Sequence, residues 1–323
     1  MNAIFGFADI RNFTFATEGL QQDVLIFVNK IAAITHKHVV NSGGHPNKNI
    51  GDAFLLVWKL KGGKNGTNSS GDLQKDLYDS ALAACQRVIR DIQHAGNLAS
   101  FLDDDGGGNN MSTAWASSLR SYNVAIGVGL HKGWAIEGAI GSKVKIDASY
   151  LSPHVNMASR LEAATKQYRV PLLMSEAFFT GLSGHIQSTC RRVDRVIFKG
   201  SSDPMQIYHQ DVEPLSNLTT PSSNHSDLVA MTSWDEDTEN DYRGLIRDAQ
   251  SKIESDNEMA HRDLFDSLMN AYLDKDWTMC KIYSHLWIKK WSGDRIVIAL
   301  IEELSRHNFI YPDDWQYHKL TEK

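Results

Sequence analysis

Asp9 closes the apolar run Ile4-Phe5-Gly6-Phe7-Ala8-Asp9-Ile10-Arg11-Asn12-Phe13-Thr14, and Asp52 stands in Lys48-Asn49-Ile50-Gly51-Asp52-Ala53-Phe54-Leu55-Leu56-Val57-Trp58. Two carboxylates placed together repel unless a cation neutralises them, so a pair of strand-end aspartates is a candidate site for a hard divalent metal. Taken singly each has a plainer reading, because Gly-Asp is a common turn and Asp after a strand a common helix cap. Asn156 and Arg160 are four residues apart in a helical pattern and project from one face. An amide and a guanidinium there suit a phosphate or ribose oxygen; the plainer alternative is a solvated face with Arg160 paired to a nearby acid. His131 reads as a core or turn histidine with no catalytic role. The acidic run Asp103-Asp104-Asp105 lacks the alternating ligands and terminal Glu of a calcium loop and reads as solvated.

The elements that must position these residues follow from periodicity. The first run reads as a buried strand that breaks at Asp9, and the second as two short strands hinged at Gly51-Asp52. Between them Leu20, Val24, Phe27, Ile31, Ile34 and His38 recur at the spacing of one helix face. If the strands pair beneath that helix, Asp9 and Asp52 fall side by side at a sheet edge. A Gly-rich loop, Gly62 to Gly71, precedes a second amphipathic helix marked by Leu73, Leu77, Ala81, Cys85, Val88 and Ile92, and a second loop spans Asp103 to Asn110. From Tyr122 the period is two: Tyr122, Val124, Ile126, Val128 and Leu130 share one face, and Ala125, Gly127 and Gly129 leave the other open to close approach. His131-Lys132-Gly133 is expected to turn the chain into a hairpin strand from Trp134 to Ile140. Pro153 suits the first turn of a helix whose stripe is Val155, Ala158, Leu161 and Thr165. Leu172 to Met174 reads as a strand with Ser175 capping a short helix. Arg191 to Gly200 is a further strand with its basic cluster on a solvated face, and Met205 to His209 pairs back to it.

Residues 213–240 lose periodicity and read as a linker, and helical spacing resumes from Asp241 to about His307, with Trp277, Trp287 and Trp291 as packing anchors. Tyr311 to Trp315 closes the chain irregularly. This helical tail carries no site of its own and reads as a partner surface or a lid. The expected domains are therefore 1–212, a linker 213–240, and a helical extension 241–323.

At 323 residues with 42% hydrophobic content, the chain can hold one sizeable core plus a smaller unit. Its net charge of −6 argues against nucleic acid as a partner. Cys85, Cys190 and Cys280 lie far apart, which favours a reducing compartment over a disulfide framework or zinc site. No run is long enough to span a bilayer, so no membrane contact is expected from this chain itself, and a cytoplasmic location follows. The chain begins almost inside its first strand, as a portion of a longer, even membrane-attached, protein would.

Phe7-Ala8-Asp9-Ile10-Arg11-Asn12-Phe13-Thr14 followed by Lys48-Asn49-Ile50-Gly51-Asp52-Ala53-Phe54 resembles the opening of the class III nucleotide cyclase catalytic domain. Gly129-Leu130-His131-Lys132-Gly133 with Gly138-Ala139-Ile140-Gly141-Ser142 is similar to a second signature of that family. Val155-Asn156-Met157-Ala158-Ser159-Arg160-Leu161-Glu162 matches its most diagnostic stretch, and Lys199-Gly200 ends a strand where it carries a phosphate-binding lysine. The resemblance covers roughly residues 3–210.

The resemblance implies an α+β fold, a ferredoxin-like nucleotide cyclase domain with a central mostly antiparallel sheet and helices packed on it, followed by a small helical extension. It implies an adenylyl cyclase forming 3′,5′-cyclic AMP and pyrophosphate from ATP, with Asp9, Asp52 and the Ile10 carbonyl holding two Mg2+ or Mn2+ ions per site. The backbone amides through Asn12 and Phe13 would bind phosphate oxygens, Asn156 would orient the ribose, Arg160 would stabilise the transition state, and Lys199 would hold the terminal phosphates. Adenine selection falls to Lys48 and Ser149, where guanylyl members usually carry Glu and Cys. Active sites in the family form between two domains, so a head-to-tail homodimer, or a heterodimer with another cyclase domain, is expected. A guanylyl cyclase and a catalytically weak regulatory module are the alternatives. The chain departs from the family at Gly127, where an Arg is frequent, and at Ser152-Pro153-His154, which replaces Gly-Asp-Thr.

Overall fold

The apolar run at the N-terminus becomes β1 (Asn2–Ile10), in which Ala3, Ile4, Phe5, Ala8 and Ile10 are buried. Burial on both faces is what a central strand needs, and a near-continuous apolar run supplies it. In this computed structural model, which describes residues 1–60, 69–96, 122–201, 203–211, 225–234, 236–251, 258–313, 315 and 318–320, the chain divides into two units. Among the described residues the first comprises Met1–Lys166 and Pro171–Cys190, and the second Gln167–Val170 and the chain from Arg191 onward.

In the first unit β1 leads through a tight loop into α1 (Phe13–Leu20) and then α2 (Val24–Asn41). The helical stripe predicted from Leu20 to His38 is thus split between two helices, and the buried face of α2 is Phe27, Ile31, Ala32, Thr35 and Val39. β2 (His45–Ile50) and β3 (Ala53–Leu60) flank the Gly51-Asp52 turn, with Gly51 in the left-handed region at φ 65°. α3 (Ser69–His94) buries Ala81, Cys85, Val88 and Ile92 as its spacing predicts, and packs on α2.

β4 (Ile126–Trp134) runs antiparallel to β1 from Ile10↔Ile126 to Asn2↔Trp134. The turn expected at His131-Lys132-Gly133 does not exist. Pairing with β1 carries the strand straight through these residues, and His131 is a buried strand residue. The hairpin lies one element later, between β5 (Ile136–Gly141) and β6 (Ile146–Leu151), which pair only with each other. Sequence reasoning missed β6 because its exposed alternation has no apolar face to bury.

α4 (Pro153–Gln167) follows, buried at Ala158, Leu161, Glu162, Ala164 and Thr165. The Ser152 hydroxyl accepts from the His154 amide at 3.0 Å, capping it. β7 (Leu172–Ser175) is parallel to β4, and α5 (Glu176–Phe179) and α6 (Gly184–Gln187) are capped by Ser175 and Ser183. The unit's strands run in the order β7–β4–β1–β3–β2.

The second unit holds β8 (Cys190–Phe198) from Arg191 onward and β9 (Met205–Gln210), neighbours in the sheet. Its helices are α7 (His225–Thr232), α8 (Glu236–Ser251), α9 (Glu258–Leu273), α10 (Trp277–Lys290) and α11 (Arg295–Ser305). A short β10 (His318–Leu320) pairs parallel to β8, where an irregular close was expected. Within the stretch read as a linker, α7 and the start of α8 are helical, and Leu228 and Thr232 are buried, a pair of contacts too sparse to show as periodicity. Part of that stretch (213–224 and 235) and most of the two predicted loops (61–68 and 97–121) lie outside the described residues. Trp277, Trp287 and Trp291 are buried, as predicted.

Of the basic cluster expected on a solvated face, Arg195 is exposed and Arg192 half-buried, but Arg191 is not solvated. Arg191 is buried and bridges Asp294 and Asp211, each at 2.6 Å, with its guanidinium 4.7 Å from the Phe265 ring centroid. Asp294 also caps α11 through the Ile296 and Val297 amides. A charge run on a strand is usually solvated, but here carboxylates from distant sequence reach it, and a single-sequence pattern carries no sign of them.

Candidate active site

Asp9 is the penultimate residue of β1, opposite Ala53 in the β1–β3 register, so Asp52 in the adjoining turn is brought beside it. The Ile10 amide donates to the Asp52 carbonyl at 3.2 Å, fastening the β2–β3 turn to the end of β1. The pair does not sit at a sheet edge as expected: β1 lies between β3 and β4, so the aspartates occupy strand ends in the middle of the sheet.

The loop beyond Asp9 is fixed from behind. The Arg11 amide donates to the Ala125 carbonyl at 2.9 Å, and the Tyr122 hydroxyl donates to the Arg11 carbonyl. Asn12 adopts φ 51°, a left-handed conformation that Asn tolerates better than most residues, and α1 starts at Phe13. The first amides of a helix have no intrahelical acceptor, so Asn12 and Phe13 stand where backbone donors are offered to an anion.

Burial, foremost, and the neighbouring charge of Asp52 raise the Asp9 carboxyl above its ordinary pKa, while Lys166 and Arg11 pull it back. Two crowded carboxylates with a main-chain carbonyl form an all-oxygen donor set that fits Mg2+ or Mn2+, ions that complete their shells with water and substrate phosphate. Among the described residues no group of three or more His, Cys, Asp or Glu side chains converges.

The open face of β4 is filled by α4 and Arg11. A Cβ at Gly129 would collide with the Ala158 carbonyl and the Glu162 amide, and one at Gly127 with the Arg11 guanidinium. Arg11 lies against Glu162 at 3.0 Å, an ion pair not aligned as a hydrogen bond, and donates to the Thr165 hydroxyl. Burial pushes the Glu162 carboxyl up to about 7, with Arg11 opposing it. The Arg11 guanidinium therefore occupies the space that a side chain at Gly127 would fill. Lys166, in the last turn of α4, reaches Asp9 with Nζ 3.6 Å from Oδ2. Arg11, Glu162 and Lys166 were not singled out from sequence. Glu162 was detectable, because it falls four residues after Ala158 on the buried stripe, and a carboxylate there requires a cation.

Asn156 is exposed and Arg160 half-buried on α4, away from the helix's buried residues. Lys48, on β2, lies 3.8 Å from Asp147 of β6, which brings it next to the strand carrying Ser149. Lys199 is exposed at the end of β8, in the second unit.

His131 is structural. Its Nδ1 is 2.7 Å from the Ser175 hydroxyl and its Nε2 2.8 Å from His154 Nδ1, with the rings stacked. Burial, then the charges of His154 and Lys132, lower its pKa to about 3. The folded state thus binds fewer protons than the unfolded chain below pH 6.5, so the stability this residue contributes is present above 6.5 and lost as pH falls toward 3. Urea unfolding across pH 5–7 should show a loss of up to about 1.4 kcal/mol per pH unit below 6.5 from this group. His131→Gln should flatten that part of the profile; an unchanged slope would rule the assignment out.

The adenylate and guanylate cyclase catalytic domain family matches residues 2–210. The chain belongs to this family. It is 30% identical over 204 residues to a terminal-differentiation-specific adenylate cyclase of Dictyostelium discoideum, covering 62% of this chain and 8% of that protein. It is 28% identical over 204 residues to an adenylate cyclase of Anabaena cylindrica, again 62% of this chain and 35% of the relative. Among solved structures, a bacterial light-regulated adenylyl cyclase superposes with a TM-score of 0.50 at 23% identity, covering 66% of this chain and 52% of the other, a likeness of fold. The cyclase match thus spans only a minor part of either curated relative's length. No helix among the described residues is long and apolar enough to cross a membrane.

Proposed function

We propose that this cyclase domain converts ATP to 3′,5′-cyclic AMP and pyrophosphate at sites formed between two chains. The observation that carries the reading is the meeting of Asp9 and Asp52 beside the start of α1, an acidic oxygen site next to backbone donors. Asp9, Asp52 and the Ile10 carbonyl would hold two Mg2+ or Mn2+ ions, which when bound acidify the ribose 3′-hydroxyl and offset charge on the leaving pyrophosphate. Around them the chain's own groups bind and orient: the amides at Asn12 and Phe13 take phosphate oxygens, Asn156 holds the ribose, Arg160 meets the charge that develops at the α-phosphorus, and Lys199 holds the terminal phosphates.

Selection of adenine rests on Lys48 and Ser149. The Lys48 ammonium donates to adenine N1, whereas guanine presents a donor at that position and would leave the lysine unpaired. Ser149 accepts from the exocyclic amino group. The proximity of Lys48 to β6 supports this pairing of roles.

A head-to-tail homodimer is supported by the β5–β6 hairpin, which leaves Ile136, Val144, Ile146 and Leu151 exposed, Val144 at 96% and Ile146 at 69%. Apolar side chains so exposed on one arm are suited to a partner surface, here a second copy.

The test is product formation by the purified chain supplied with ATP or GTP and Mg2+ or Mn2+, over a range of protein concentration. Cyclic AMP rising faster than linearly with protein supports the reading. Lys48→Glu should lower the ATP:GTP rate ratio at least tenfold by removing a paired donor. Cyclic GMP from the unaltered chain would overturn the base assignment, and no product at any concentration would favour a regulatory module or an obligate second cyclase domain.

A further inference from the structure

Three positive groups could answer the Asp9–Asp52 pair, and the geometry separates them. Arg11 acts on Asp9 only through its field, because its guanidinium is held by Glu162 and Thr165 over Gly127 and its side chain is only 17% exposed. Divalent ions are not a property of the chain itself. Lys166 remains, its ammonium 3.6 Å from Asp9 Oδ2 and its side chain 52% exposed.

We propose that Lys166 is the resident counter-cation of the metal half-site, which a divalent ion must displace, and so sets the metal affinity of the chain. The inference rests on the metal reading of Asp9 and Asp52 given above. A lysine suits this role where an arginine would not. It is a point charge on a flexible stem, it satisfies the carboxylate without fixed bidentate geometry, and its exposure lets it swing into water when a dication arrives. An ion pair at this exposure is weak, so the competition is a matter of several-fold and not of orders of magnitude. The placement on α4 is also directional. Arg160, two turns earlier on the same helix, faces away from the buried stripe, so the helix offers one cation to the aspartates of its own chain and another to substrate.

The experiment is Mn2+ binding to the purified full chain without nucleotide, read from the electron paramagnetic resonance signal of free Mn2+, with the Mn2+-induced shift in melting temperature as a second readout. Lys166→Gln is expected to bind Mn2+ roughly three- to tenfold more tightly and to gain a larger melting shift. Lys166→Arg, which keeps the charge but holds the carboxylate in fixed bidentate geometry, should bind Mn2+ no more tightly than the unaltered chain, and Lys37→Gln, the same charge change at an exposed position of α2, should have no effect. Unchanged or weaker binding by Lys166→Gln would overturn the counter-cation role. A gain of equal size in Lys37→Gln would reduce the effect to net charge and overturn it as well. Asp52→Ala separates this from failure of the underlying reading: if it binds Mn2+ like the unaltered chain, the metal half-site itself is wrong.

Discussion

Asp52→Ala is expected to lower cyclic AMP formation by at least roughly a thousandfold at saturating ATP and Mn2+, while leaving the melting temperature unchanged or raised. The loss follows from removing one of two carboxylates that would hold the ions, since metal stabilisation of phosphoryl-transfer charge is worth several kcal/mol and each 1.36 kcal/mol is tenfold in rate. The stability follows from the opposite sign of the same interaction. In the metal-free chain the charge of Asp52 raises the Asp9 carboxyl's pKa, so its removal relieves repulsion instead of breaking a contact. The half-buried turn position of Asp52 leaves no cavity of consequence. Product chromatography beside a thermal melt reads both arms. Activity within tenfold of the unaltered chain would sink the metal assignment, whereas a collapsed melt would mean the residue is structural.

A mixing experiment tests the dimer. Arg160→Ala alone should lose on the order of a hundredfold in rate, as deletion of a transition-state donor typically does. If each site draws its metals from one chain and Arg160 from the other, a mixture of inactive Asp52→Ala and Arg160→Ala chains regains activity. Random pairing makes about half the dimers mixed, each with one intact and one doubly impaired site, so recovery should approach about a quarter of the unaltered rate. That is a rise of well over tenfold above either variant alone. Additive residual rates with no recovery, after co-refolding to ensure exchange of chains, would mean both residues act in the same chain or that no such dimer forms.

What sequence could reveal divides along the range of the interaction. β1, β3, α2 and α3 are legible because each buries a local apolar pattern, and the Gly51-Asp52 turn is set by its own two residues. From these, the neighbourhood of Asp9 and Asp52 could be reasoned before any coordinates, although its place in the middle of the sheet could not, because β4 joins β1 from more than a hundred residues away. The small residues at Gly127 and Gly129 announced a close approach without naming what approaches; the answer is α4 and Arg11. The false turn at His131 shows a local rule overridden by a ladder, since pairing with β1 along the whole strand offsets the modest cost of a glycine inside it. Lys166 was invisible for a different reason: a half-exposed lysine in a last helical turn is unremarkable until the strand end it touches is known.

The buried Arg191 bears on how this chain can have been assembled over time. It lies inside the stretch that matches the cyclase family, yet one of its two carboxylate partners, Asp294, comes from well beyond that stretch. Removing one partner of a buried charge costs about 3–5 kcal/mol, a large part of what holds most domains folded. A chain cut after residue 212 would keep Asp211 but strand part of the guanidinium's charge. The stretch shared with the family and the reach of this ion pair therefore end at different places in the chain, and exchanging the helical tail is expected to require a change at position 191 as well.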